Sequence, residues 1–157
     1  MKITRVGMLV AVWILLVAQA WAQDKMPEAS TATWCIHVNK APNTVRAFGF
    51  DIVYPADILT FDKATKADLL KKGFSYFGAN ELKPGRIRVG GMEPGEHSIA
   101  QGAQGRLVTL TFIKKKEMAP VFKIIMVQDD MRTWSVSTGK NGQPADLALT
   151  ECTQQTP

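Results

Sequence analysis

Signatures of catalysis are missing from this 157-residue sequence, and histidine and cysteine are scarce. No G-x-S-x-G elbow, P-loop, G-x-G-x-x-G or H-E-x-x-H occurs. Those absences remove the sequence signals for an activated serine, a phosphate cradle, a dinucleotide site and a zinc hydrolase. The two histidines, His37 and His97, stand sixty residues apart and lack spaced ligand partners, so no metal site is expected. Cys35 and Cys152 form neither a C-x-x-C nor a Cys/His cluster. Acidic residues are numerous enough for a glycosidase pair, which needs two carboxyls ~5–10 Å apart in a cleft, but nothing singles out a pair. Asp129-Asp130 reads as a solvated strand-end turn rather than a calcium ligand set. The chain is not expected to be an enzyme.

Only one long apolar run is present. It extends from Val6 to about Ala18 behind a basic start of Lys2 and Arg5, and Ala20-Trp21-Ala22 follows as a small-x-small cleavage triplet. This is the layout of a secretory signal peptide over residues 1–22, shorter than the ~20 apolar residues a membrane span needs. Its removal leaves 135 residues, enough for one domain. It also leaves 17 basic against 14 acidic residues, a net charge of +3 that is too mild to indicate nucleic acid. Export places the cysteine pair in an oxidising compartment, periplasmic or extracellular, and predicts a Cys35–Cys152 disulfide joining the two ends of the domain.

Residues 23–32 read as a flexible lead-in, and from Thr33 the apolar pattern has period two. Trp34, Ile36 and Val38 alternate with Cys35 and His37, and Phe48, Phe50 and Ile52 with Ala47, Gly49 and Asp51. Ile87 and Val89 alternate with Arg86 and Arg88, and Val108, Leu110 and Phe112 with Thr109 and Thr111. Val121–Val127 is apolar almost throughout, as a central buried strand would be, and Trp134–Thr138 reads as one more strand. Turns fall between these segments at Ala41-Pro42-Asn43, Tyr54-Pro55, Lys83-Pro84-Gly85 and Glu93-Pro94-Gly95. Only Lys63–Lys72 has helix-forming composition. The expectation is an all-β sandwich over 33–153 with one short helix.

The order of these pieces resembles the cohesin-domain pattern. Val45–Phe61, VRAFGFDIVYPADILTF, is similar to the cohesin strand G-F-x-F-x-L-x-Y running into a D-P-x-x-L-x-F turn. Phe77–Asn80, Pro84–Gly91 and Gly105–Phe112 follow in the family's order, and Asp129–Ser137 resembles the closing turn and strand. The likeness spans Trp34–Thr138. It implies a flattened jelly roll of eight or nine strands without catalytic activity. It also implies a dockerin-like partner, a small helical module lying against the outer face of one sheet, with any calcium carried by that partner. The sequence departs from the family pattern at Tyr54-Pro55-Ala56-Asp57, and Ala47 and Gly49 stand where polar dockerin contacts often lie.

Strand phase puts the candidate partner-binding residues at Ala47, Gly49 and Asp51 on one outer strand and Arg86 and Arg88 on another, with Glu93 in the loop beyond. Arginines on a sheet face form paired hydrogen bonds to carboxylates and are enriched at interface hot spots. Two other readings share the scaffold. One is a carbohydrate-binding module that stacks polysaccharide on exposed aromatics, with Trp34, Trp134, Tyr54, Tyr76 and Phe77 as candidates. The other is a structural sandwich associating through its sheet edges.

Overall fold

The computed structural model describes residues 30–127 and 143–152. Eight strands run through them: β1 (Thr31–Val38), β2 (Ala47–Val53), β3 (Leu59–Lys66), β4 (Tyr76–Lys83), β5 (Arg86–Met92), β6 (Gly105–Lys114), β7 (Lys123–Met126) and β8 (Leu147–Glu151). They form two antiparallel four-stranded sheets in the orders β3-β6-β1-β8 and β4-β5-β2-β7.

The period-two alternation decides which face of each sheet turns inward. Ile36 and Val38 of β1 and Leu110 and Phe112 of β6 meet Phe48, Phe50 and Ile52 of β2 and Ile87 and Val89 of β5, all fully or almost fully buried. Each such side chain contributes about 1.5–3 kcal/mol by leaving water. Phe48 stacks on Phe50 and tilts against Phe74, while Phe112 touches Tyr54, Phe61 and Phe122, so two clusters of rings pack in the core. Gly91 belongs to this core. A Cβ there would fall 2.7 Å from the Phe48 ring, so the glycine makes room for the aromatic.

The Cys35–Cys152 disulfide is formed, closing a span of 117 residues and fixing the end of β8 to the middle of β1. Such bridges persist in oxidising compartments.

Several expectations are corrected. β1 already starts at Thr31, inside the segment read as lead-in, and pairs it with Ile113. The predicted helix over Lys63–Lys72 is not formed. Lys63–Lys66 continue β3 against β6 after a bulge, and only Asp68–Leu70 makes a 3-10 turn, which buries Leu70. Cross-strand pairing has overridden the local preference of Ala and Lys. Among the described residues the apolar segment around β7 pairs with β2 alone and lies at the border of its sheet. It is apolar because Ile124 and Met126 pack on the core while Ile125 stands opposite Asp51 on the other face. Trp34, in phase with Ile36 and Val38, is partly buried and packs against the core, with its ring 4.7 Å from that of Phe122. The strand read at Trp134–Thr138 and the Asp129-Asp130 turn lie outside the described residues.

Candidate functional site

The two outer faces of the sandwich differ in kind. On the β3-β6-β1-β8 sheet, the outward positions carry threonines in register, Thr33 opposite Thr111 and Thr65 opposite Thr109. Threonine is a strong strand former on a half-solvated face, and these residues do what the fold asks of them.

The outer face of β4-β5-β2-β7 is built differently. Its rows, read across the strands, are set by the ladder register. One row is Tyr76–Met92–Ala47. The next is Gly78–Gly90–Gly49, three glycines side by side on three adjacent strands. Then comes Asn80–Arg88–Asp51–Ile125, and last Lys83–Arg86–Val53–Lys123. Strand glycines weaken a sheet, and they often mark close approach by another backbone. None of these three has a positive φ. A Cβ at Gly78 would meet nothing within 4 Å, and one at Gly49 or Gly90 would meet only ordinary contacts at 3.8 and 3.4 Å. Packing therefore explains Gly91 on the inner face, and among the described residues it gives no reason for the outer three. They give a bare floor crossing three strands. At a strand spacing of about 4.8 Å this floor is roughly 10 Å long, close to two turns of an α-helix.

Tyr76 stands at one border of the floor, 62% exposed. Along the other border, Asp51 accepts from Arg86 Nε at 2.7 Å and from Arg88 Nε at 2.8 Å, with further bonds from both Nη2 groups. The carboxylate is entirely covered, while the two arginine side chains remain 37% and 46% exposed. Burial alone would raise the Asp51 pKa, but the hydrogen bonds and charges of Arg88 and Arg86 outweigh it and hold the group below the usual carboxylate range.

The sequence-predicted residues are thus brought together with two corrections. Ala47, Gly49, Arg86 and Arg88 share the face, as strand phase requires. Asp51 shares it too but is no exposed contact, because its oxygens are consumed by the arginines above it. Glu93 does not join the face. It is 5% exposed and accepts from the amides of Gly95 at 2.7 Å and Ser75 at 3.2 Å. The backbone bond from Gly95 leads in lowering its pKa, so Glu93 staples its own loop.

Sequence reasoning missed Gly78, Gly90, Lys83 and Lys123. Gly90 was accessible, since it continues the Arg86, Arg88 alternation; the others depend on register. Of the aromatics proposed for sugar stacking, Tyr54 is buried with its hydroxyl on Glu81, Phe77 packs toward the core, and Trp134 lies outside the described residues. Among the described residues Tyr76 is the one exposed ring. No group of three His, Cys, Asp or Glu side chains among the described residues is placed to hold a metal ion.

No protein-family model and no curated protein matches the sequence. Solved structures do match the fold. The CaCohA2 chain in a crystal structure of the CaDoc0917–CaCohA2 complex superposes with a TM-score of 0.56 at 16% identity, covering 73% of this chain and 83% of that one. The fold is that of a cohesin module. CaCohA2 from Clostridium acetobutylicum in solution gives a TM-score of 0.52 at 19% identity, covering 77% of this chain and 70% of that cohesin. The seventh ScaB type I cohesin from Pseudobacteroides cellulosolvens gives 0.53 at 19%, covering 64% and 68%. The cohesin-like sandwich expected from the ordered strand motifs is therefore the fold observed.

Proposed function

We propose that this chain is a non-catalytic docking module, cohesin-like in function as in fold, which binds a dockerin-type helical module on the outer face of β4-β5-β2-β7. The observation that carries the reading is the in-register row Gly78–Gly90–Gly49. Three adjacent strands give up side chains where the described residues leave room for them, and the product is a floor against which a partner's backbone can lie closely. The fold likeness supports it, since the CaCohA2 module and the sixth cohesin of Acetivibrio cellulolyticus scaffoldin B were both solved in complex with dockerins. Calcium would be carried by the partner. Export through the signal peptide at 1–22, to the periplasm or beyond, agrees with the Cys35–Cys152 bridge.

The test is affinity capture from the native organism's envelope and secreted fractions on oxidised 23–157, with elution by a calcium chelator. A face-blocked Gly49→Lys, Gly90→Lys variant serves as the control. A protein bearing paired calcium loops should elute from the wild type and be lost from the variant. Capture of the same protein by both baits would remove this face from the reading. Retention of the bait itself on insoluble polysaccharide, with no protein eluted, would favour the carbohydrate-binding alternative.

A further inference from the structure

The docking face is electrically lopsided, and its polarity specifies the partner more closely than the fold does. Lys83, Arg86 and Lys123 lie in one cross-strand row, and Arg88 lies in the row beside it. Among the described residues Asp51 is the carboxylate in these rows, and it is covered by Arg86 and Arg88. Lys83 and Lys123 are exposed, and Asn80 beside Arg88 adds a neutral polar group. The opposite border, Tyr76–Met92–Ala47, carries no charge and presents one exposed ring. Across the glycine floor the face therefore passes from apolar to strongly cationic.

We infer that the partner element seated on this face is acidic at the end that meets Lys83, Arg86 and Lys123, and apolar where it meets Tyr76 and Met92. The inference rests on the docking reading above and gives that partner its chemistry. A cationic element would bring like charges together over the Arg86–Lys123 row, which costs affinity and slows encounter. An acidic one is steered to it, with exposed carboxylates pairing to Lys83 and Lys123 and to the outward N–H groups of Arg86. Asp51 keeps the two guanidinium groups fixed before the partner arrives, so less side-chain freedom is lost on binding.

The probe is the CaDoc0917 dockerin displayed as a library with its helix-surface positions randomised and selected on the wild-type chain. Selected clones are then measured against two folded variants. One is Lys83→Glu, Lys123→Glu, which reverses two exposed lysines outside the core; the other is Gly49→Lys, which obstructs the floor. Thermal melts verify that both variants fold. Clones that lose binding to Gly49→Lys should carry Asp or Glu at one end of the contact stripe. They should bind the lysine-reversed variant at least tenfold more weakly, and their affinity should fall as salt rises. Floor-dependent clones that bind the lysine-reversed variant as tightly as the wild type would overturn the inference and leave the docking reading standing. Recovery of no clone sensitive to Gly49→Lys would overturn both.

Discussion

Asp51 and Arg88 stand directly opposite each other in the β2–β5 ladder, and Asp51 Oδ1 accepts the Arg88 Nε–H at 2.8 Å. Arg86, opposite Val53, leans over to the same carboxylate. One acid thus anchors two bases on a sheet face that lacks side chains in the adjoining row. The arrangement joins stability to function, because the residue that neutralises part of the charge also sets the posture of the two arginines.

Removing that acid should destabilise the fold. In Asp51→Ala both guanidinium groups lose this carboxylate, but each is exposed enough to recover water. The expected loss is therefore about 1–2 kcal/mol, below the 3–5 kcal/mol typical of a fully buried pair broken on one side. Urea unfolding of the variant checks this.

Acid should act through the same group. The Asp51 pKa is lowered in the folded state, as is that of Glu93, where the Gly95 amide bond leads. A carboxyl with a depressed folded value contributes stability above its unfolded value, near pH 4, and loses it as pH falls through the folded value. The urea midpoint should fall between pH 5 and pH 2 in the wild type, and fall less steeply in Asp51→Asn.

The disulfide closes a span of 117 residues. In the chain-entropy model a loop of that length contributes about 4–5 kcal/mol. A Cys35→Ser, Cys152→Ser variant should lose most of that, read as a lower denaturant midpoint. The same shift should follow when the wild type is reduced.

Glycines on the two faces of one sheet should respond oppositely. Gly91→Ala drives a methyl into the Phe48 and Phe74 rings and should cost about 1–3 kcal/mol. Gly78→Ala and Gly49→Ala meet open space or ordinary contacts and should leave stability unchanged or raise it by about 0.5–1 kcal/mol. Partner binding should nonetheless weaken in the latter two. Paired melts and binding measurements separate the glycines the fold requires from those it does not.

The amino-acid sequence by itself determined the all-β class, the inward residues of β1, β2, β5 and β6, and the cysteine pair. Those follow from a side-chain period of two and from the count of thiols, both of which are local. It also put Ala47, Gly49, Arg86 and Arg88 on outward positions. Tertiary structure decided the rest. Lys63–Lys66 became strand because β6 offered a ladder that a ten-residue helix without packing could not match. Glu93 turned into its own loop because the amides of Gly95 and Ser75 lie within reach only once the chain has folded. The glycine row and the cationic row exist only through register, which aligns Gly78 with Gly90 and Gly49, and brings Lys83 and Lys123 to either side of Arg86 and Val53. Register is a property of paired strands, so no reading of one strand at a time contains it.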